Sequence, residues 1–199
     1  MSLAPHPEPP ADLGACDLPL VTTDQPWFRA HEVSRDPVFF GRSGDHRFDA
    51  PGQEFGVMYV GQDEHCAFIE TFGHETGIRV VDEETLSKRG LARIAYSRPL
   101  RLVRLFGDGL VRLGADARLA TGDYRLAQRW ALALHDHPDT PDGIMFISRH
   151  DDQRFCAALF DHIAAKINVE PLGAWADRTN AKILAGILET YDFGLIKTE

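Results

Sequence analysis

Short apolar segments, separated by turns and a few helix-like segments, constrain the fold of this chain more than any other sequence feature. Strand-length apolar runs bounded by turn residues are typical of β-strands, whereas apolar residues three or four positions apart indicate helices. The first pattern predicts strands at residues 27–31, 55–60, 91–97, 100–106, 143–147 and 156–160. The second predicts helices at residues 63–72, 123–137 and 178–191. Because the two kinds of element are mixed without regular βαβ alternation, the predicted fold class is α+β, not doubly wound α/β.

The length of the chain fits one compact domain. It has 199 residues, of which 44% are hydrophobic and 26% are charged, as in ordinary globular proteins. Residues 1–25 carry five prolines and almost no periodic apolar pattern. We therefore predict that residues 1–25 form a flexible leader that contributes little to the core, and that residues 26–199 form a single domain.

Neither a membrane anchor nor a disulfide framework is expected. The sequence has no apolar run of about 18 residues, the length that a membrane-spanning helix requires. Its first 20 residues lack the basic and apolar regions of a secretory signal. Three cysteines without a CxxC motif argue against a disulfide scaffold and against a cysteine zinc site. These features predict a cytoplasmic protein.

The charge distribution argues against binding to nucleic acid or to an anionic membrane through bulk charge. The formal net charge is −9, although residues 88–129, with 10 basic and 3 acidic groups, carry a net charge of +7. An anionic ligand must therefore be bound locally, by a few arginines in the right positions.

Glu70 is the most unusual residue of the helix predicted at 63–72. This helix is apolar nearly all round and should be buried, and a buried carboxylate is costly unless it is paired. Glu70 is therefore either a carboxylate held in a cleft, where it could bind sugar hydroxyls or stabilise positive charge, or a structural glutamate paired with an arginine. The sequence leaves both interpretations open.

Two arginines and one tyrosine are further candidates. Arg29 lies within an apolar strand segment, and Arg47 lies in a glycine-rich loop before the strand that carries Tyr59. The planar guanidinium group suits pyrophosphate or carboxylate groups, although each could instead be an ordinary arginine at the surface or in an ion pair, as most single arginines are. Tyr59 needs a hydrogen-bond partner if it is buried, which makes a place in a pocket the alternative to a place in the core.

Ser148 ends a predicted buried strand and could line the mouth of a cleft, or could simply be a turn residue. No GxSxG motif surrounds Ser148, so a hydrolase with a nucleophile elbow is not supported. The sequence also contains no GxxxxGK[ST] or GxGxxG motif. The histidines show no convincing spacing for metal ligands, and no metal site is predicted.

Taken in order, these residues resemble the RES-domain family, which is named for its Arg, Glu and Ser. Three residues of this sequence resemble the opening block of the family: Arg29 in Trp-Phe-Arg, Arg47 in His-Arg-Phe-Asp-Ala-Pro-Gly and Tyr59 in Val-Met-Tyr-Val. Glu70 in Ala-Phe-Ile-Glu-Thr is similar to the family glutamate, and residues 142–149 are similar to its serine block. The resemblance covers about residues 26–165. It departs from many relatives in the loop before Arg47.

The resemblance implies a fold similar to ADP-ribosyltransferase toxins, with a split antiparallel sheet and flanking helices. It implies NAD as a substrate, with no separate cofactor and no metal, and cleavage of the nicotinamide–ribose bond with transfer of ADP-ribose to phosphate or water. Glu70 would then stabilise the ribose cation, Arg29 and Arg47 would hold phosphates, Tyr59 would pack against the nicotinamide or ribose, and Ser148 would position the ribose. The implied catalytic residues are Glu70, Arg29 and Ser148.

The resemblance also implies a protein partner, because many relatives are toxins neutralised by an Xre-type DNA-binding antitoxin. No direct nucleic-acid or membrane partner is expected, and the sequence leaves open whether the chain forms a homo-oligomer. Two alternative functions remain: mono-ADP-ribosylation of a protein target, which would use the same residues, and a non-catalytic nucleotide-binding or regulatory module, which would keep the fold but lack a residue of the motif. The presence of Arg29, Glu70 and Ser148 together argues against the second alternative.

Overall fold

The computed structural model describes residues 6–197, which form one large sheet, one small sheet and several short helices. The strands are β1 (Leu20–Thr23), β2 (Trp27–Glu32), β3 (Val57–Gly61), β4 (Val80–Asp82), β5 (Arg89–Tyr96), β6 (Leu100–Leu105), β7 (Gly143–Ile147), β8 (Phe155–Phe160), β9 (Ile167–Ala174) and β10 (Gly194–Ile196). The α-helices are α1 (Glu64–Phe72), α2 (Glu83–Ser87), α3 (Asp108–Arg112), α4 (Arg118–Thr121), α5 (Tyr124–His135) and α6 (Ala181–Tyr191). None of the helices in residues 6–197 is long and apolar enough to cross a membrane.

The large sheet is mostly antiparallel and is split near its middle. Its strand order is β1-β6-β7-β8-β3-β2-β5-β9, in which only β6 and β7 run parallel. The central strands β2 and β3 share a single residue pair, Phe28 with Gly61, whereas β3 and β8 share five pairs and β2 and β5 share six. The strands β2 and β3 therefore separate beyond that pair, which opens the sheet. The predicted α+β class, with a split antiparallel sheet and flanking helices, is confirmed.

Both faces of the sheet are covered by apolar residues. Adjacent residues of β3 enter different clusters: Val57 packs with Trp130 of α5, and Met58 packs with Trp27 on the other face. A third cluster joins α1, α6 and β5 around Phe68 and Trp175. The six strands and three helices expected from the sequence are all present, although the last helix begins with a 3₁₀ turn at Arg178–Asn180.

The prediction of a flexible leader is wrong for the described part of residues 1–25. Strand β1 pairs along the edge of β6, and Leu13 and Leu18 are buried in the cluster that contains Trp130. The indole N–H of Trp130 donates a hydrogen bond to the carbonyl of Pro7 at 3.0 Å. Prolines conceal this packing in the sequence because they break apolar periodicity without preventing contact. Residues 1–5 lie outside the described residues.

The carboxylate of Asp142 anchors the start of β7. It accepts hydrogen bonds from Arg98 at 2.6 and 2.7 Å and from the backbone N–H of Arg101 at 2.8 Å, and it lies 3.7 Å from the ring of His162. Burial favours the protonated form of this carboxyl, but the nearby His162 ring and the hydrogen bonds from Arg98 and Arg101 outweigh it and hold the pKa of Asp142 well below its usual range. The folded state is therefore stabilised by the ionised form of Asp142.

Replacing Asp142 with asparagine is expected to lower the free energy of unfolding by about 2 kcal/mol at pH 6, since Arg98 loses a buried carboxylate partner but stays partly hydrated. A lowered folded pKa contributes stability above the unfolded pKa of about 4 and loses it as the pH falls. The difference between wild type and Asp142→Asn should therefore shrink at pH 3, as measured by urea unfolding at both pH values. An equal difference at both would contradict this linkage.

Candidate functional site

The split in the sheet forms a cavity of about 310 Å³. One wall comes from β2 and β3 beyond their single shared pair, and another comes from α1. Further lining comes from the loop before β3, from the chain around α4 and α5, and from β7, β8 and the loop that joins them. Four of the five residues singled out in the sequence line this cavity: Arg29, Arg47, Tyr59 and Glu70. These residues span 42 positions in sequence and meet only because β2 and β3 diverge here.

Helix α1 brings Glu70 into the cavity. Asp63 caps its N-terminus by accepting a hydrogen bond from the backbone N–H of Cys66 at 2.8 Å, and Gly73 follows its last turn. The helix lies close against β3 at Gly61, where a Cβ atom would stand 2.8 Å from the Cβ of Cys66. A residue larger than glycine would therefore push α1 outward and move the wall that carries Glu70.

Glu70 is held by Ser148 and its neighbouring backbone. The hydroxyl of Ser148 donates a hydrogen bond to Oε1 of Glu70 at 2.5 Å, and the backbone N–H of Arg149 donates to the same oxygen at 3.1 Å. The Oγ of Ser148 also accepts hydrogen bonds from the backbone N–H groups of His150 and Asp151, at 3.2 and 3.1 Å. Because these two N–H groups occupy the acceptor positions of the Ser148 oxygen, its single hydroxyl proton points at Glu70.

The geometry separates the two interpretations of Glu70. Within residues 6–197 no lysine or arginine side chain forms an ion pair with Glu70, so it is not a structural glutamate neutralised by an arginine. Ser148, by contrast, is not among the residues that line the cavity; it is buried at 4% exposure and contacts the site through Glu70. The structure therefore places Ser148 behind the carboxylate.

Arg47 is a buried cation braced by an aromatic ring and a carbonyl. Only 9% of it is exposed, its Nη1 donates to the carbonyl of Gly122 at 2.8 Å, and its guanidinium lies 4.4 Å from the ring centre of Tyr124. Burial is the main cause that lowers its pKa, which Tyr124 partly offsets and nearby Arg149 reinforces. An anion between Arg47 and Arg149 would relieve that repulsion.

Arg29 is a second, half-buried cation of the cavity. Its Nη1 donates to the carbonyl of Phe39 at 2.8 Å, and burial lowers its pKa to about 10, so it stays charged at neutral pH. In the described part of the chain, Arg29, Arg47 and Arg149 form no ion pair with a carboxylate, whereas arginines elsewhere, such as Arg98 and Arg154, do so.

Tyr59 supports the loop that carries Arg47. Its hydroxyl accepts a hydrogen bond from the backbone N–H of Phe48 at 2.8 Å and donates to Oδ1 of Asp49 at 3.1 Å. Burial and the neighbouring Asp49 raise the pKa of Tyr59 well above its usual value, so the phenol stays protonated. Tyr59 thus both lines the cavity and fixes the two residues that follow Arg47.

Several cavity residues were not expected from the sequence. They are His46, His74, Tyr124, Arg149 and His150. The rings of His74 and His150 lie 5.9 Å apart, and burial is the main cause that lowers the pKa of His150. Arg149 and His150 adjoin Ser148 in sequence, but no local signal connects Tyr124 with Arg47. The described residues contain no group of three or more His, Cys, Asp or Glu side chains that could hold a metal ion.

Comparisons with known proteins agree with this architecture. The protein named Probable toxin y4kH from Sinorhizobium fredii is 30% identical over 112 residues, which cover 56% of this chain and 86% of that protein. The crystal structure of the M. tuberculosis MbcT-MbcA toxin-antitoxin complex contains a chain of the same fold, with a TM-score of 0.58 and 14% identity over 81% of this chain and 92% of that chain. A family model described as RES domain matches residues 26–178. Since this match covers well over half of the sequence, the chain belongs to the RES domain family.

Proposed function

We propose that this protein is a toxin of a toxin–antitoxin pair that cleaves the nicotinamide–ribose bond of NAD and transfers ADP-ribose to phosphate or water. One observation carries the proposal: the carboxylate of Glu70, without an ion-pair partner among residues 6–197, shares a cavity with three arginines that also form no ion pair there. The names of the similar proteins, a probable toxin and a toxin–antitoxin complex, support the biological role.

The charges suit the proposed bond cleavage. When the C–N bond breaks, its electron pair leaves with the nicotinamide nitrogen, and the ribose becomes an oxocarbenium-like cation. A carboxylate beside that carbon stabilises the developing positive charge, and Glu70 is the carboxylate that lines the cavity. An unprotonated oxygen of phosphate then forms the new bond to the ribose carbon directly, whereas an attacking water molecule also releases a proton to the solvent.

The arginines suit the rest of the substrate. A pyrophosphate carries negative charge on both phosphates and is bound well by planar guanidinium groups. Arg29 and Arg47 are already oriented by hydrogen bonds to Phe39 and Gly122, so little side-chain entropy is lost when an anion binds. Arg149 adds a third charge, for the pyrophosphate or for an attacking phosphate.

The test is product analysis of NAD incubated with the purified protein, with and without inorganic phosphate. We expect release of nicotinamide, with ADP-ribose as the other product in the absence of phosphate or a phosphorylated ADP-ribose in its presence. Label from NAD on a protein band would instead support mono-ADP-ribosylation. Binding of NAD in calorimetry without nicotinamide release would support a non-catalytic module and overturn the proposal.

The proposed partner is an Xre-type antitoxin. Expression of the wild-type chain alone should stop growth of the host, because NAD would be consumed, whereas co-expression with the antitoxin should restore growth and yield a complex that co-purifies. The matched control is the Glu70→Gln chain, which should permit growth without the antitoxin. Growth arrest by Glu70→Gln at equal protein level would show that toxicity does not depend on NAD cleavage.

A further inference from the structure

The C-terminal helix α6 contacts the segment that holds Glu70, although it lies beyond the region matched by the family model. Tyr191, the last residue of α6, reaches the loop between β7 and β8, which spans residues 148–154. The family match ends at residue 178, so this contact comes from a part of the chain that the family model does not cover.

The contact is a compact polar cluster. The hydroxyl of Tyr191 donates to Oδ2 of Asp151 at 2.8 Å and accepts from Nε of Arg154 at 3.0 Å. The same Nε lies 2.8 Å from Oδ2 of Asp151, and Nη1 of Arg154 forms an ion pair with Asp63. The side chains of Asp63, Asp151 and Arg154 are 28%, 17% and 21% exposed, so the cluster is largely shielded from water.

This cluster joins three elements that build the site. Asp63 caps α1, the helix that carries Glu70, and binds Arg154 through its other carboxylate oxygen. Asp151 and Arg154 belong to the loop that contains Ser148, and Tyr191 ties that loop to α6. Burial favours the neutral form of Asp151, but hydrogen bonding, first from Tyr191, holds its pKa below its usual range.

The loop controls the hydrogen bonds that Glu70 accepts. The backbone N–H of Asp151 is one of the two donors that direct the hydroxyl of Ser148 at Glu70, and the backbone N–H of Arg149 binds Glu70 itself. The loop is closed by hydrogen bonds between the backbones of Ser148 and Arg154 and of Arg154 and Asp151, at 2.8 and 3.0 Å. A shift of Asp151 would therefore move both donors to Glu70.

We infer that α6 is part of the catalytic apparatus, with Tyr191 as a positioning residue that holds the 148–154 loop and thereby fixes the carboxylate of Glu70. The kinetic consequence rests on the proposed function, whereas the positioning of the loop does not. Among residues 6–197, Tyr191 forms no hydrogen bond with Arg29 or Arg47, so we expect its effect to fall on Glu70 and on Arg149, whose backbone N–H in the same loop binds Glu70.

The first test is Tyr191→Phe, which removes one hydroxyl and keeps the ring that packs against α1. We expect kcat for nicotinamide release to fall about tenfold, since a misplaced catalytic group costs rate, while KM for NAD changes by less than about twofold. The matched control is Tyr96→Phe, because the hydroxyl of Tyr96 is buried and has no hydrogen-bond partner within residues 6–197. Tyr96→Phe should keep the kcat of wild type.

A double-mutant cycle with Ser148→Ala separates positioning from general stability. If Tyr191 acts partly through Ser148, adding Tyr191→Phe to Ser148→Ala should lower kcat by clearly less than tenfold, because only the effect through the backbone N–H of Arg149 remains. A full tenfold loss in that background, or an unchanged kcat in Tyr191→Phe alone, would overturn the inference. Urea unfolding of each variant confirms that all are folded under the assay conditions.

Backbone hydrogen exchange tests the positioning without any activity. The amides of Arg149, His150 and Asp151 should exchange about tenfold faster in Tyr191→Phe than in wild type or Tyr96→Phe, since they donate to Glu70 and Ser148. Unchanged exchange at these amides would contradict the inference. If the wild-type protein releases no nicotinamide, the proposed function fails, while this exchange measurement still decides the role of Tyr191.

Discussion

Replacing Glu70 with glutamine is expected to lower kcat for nicotinamide release about 10²- to 10³-fold, the usual cost of removing one electrostatic group that stabilises a transition state. Glutamine has nearly the same shape, and its carbonyl oxygen can accept the hydrogen bonds from Ser148 and from the backbone of Arg149. The fold and the KM for NAD should therefore change little, because only the negative charge is lost. The measurement is steady-state nicotinamide release.

The matched control is Glu64→Gln, the same change on the same helix at a side chain that does not line the cavity. It should retain wild-type kcat, apart from a small loss of stability at the N-terminus of α1. If Glu70→Gln keeps more than about a third of wild-type kcat, less than 1 kcal/mol of transition-state energy depends on the charge, and Glu70 is not the group that stabilises the cation.

Elements with local signals could be predicted from the sequence. Asp63 and Gly73 mark the two ends of α1, and Asp123 marks the start of α5, because capping depends on neighbours within four residues. The apolar runs also predict the positions of the central strands. The packing of the segment before β2 could not be predicted in this way. Leu13 and Leu18 are isolated among prolines, so no local pattern indicates that they pack in the cluster that contains Trp130.

The cavity could not be derived from spacing alone. Its shape depends on β2 and β3 sharing only the pair Phe28 and Gly61, and strand register is fixed by contacts far apart in the sequence. The resemblance to the RES-domain family predicts that Arg29, Arg47 and Glu70 belong to one site, and in the structure all three line one cavity. Tyr124, which braces Arg47, comes from a helix 77 positions further along the chain and carries no local sign of this role.

The position of Ser148 behind Glu70 gives this residue a contact that the sequence does not predict. The expectation that it positions the ribose remains a prediction, and the hydrogen bonds give it a second task, because its only proton points at Glu70. A serine at a strand end looks the same in sequence whether it faces a ligand or a carboxylate. Only the two backbone donors, from His150 and Asp151, distinguish these cases.

Replacing Arg47 with alanine is expected to lower kcat/KM for NAD about 100-fold, mostly through KM. A hydrogen bond between two charged groups in a partly buried site contributes about 1.5–3 kcal/mol, and each 1.4 kcal/mol corresponds to a factor of ten. The matched control is Arg125→Ala, because the side chain of Arg125 is 83% exposed, lies one residue after Tyr124 and does not line the cavity. Steady-state kinetics with varied NAD gives both constants.

Arg47→Lys distinguishes charge from geometry at this position. Lysine keeps the positive charge but lacks the planar group that stacks on Tyr124 while it donates to the carbonyl of Gly122. If the oriented guanidinium binds the pyrophosphate, Arg47→Lys should recover no more than about tenfold of the loss seen in Arg47→Ala. Full recovery would mean that any cation at this place suffices. A wild-type KM in Arg47→Ala would show that Arg47 does not bind NAD. Its packing against Tyr124 would then only stabilise the loop before β3.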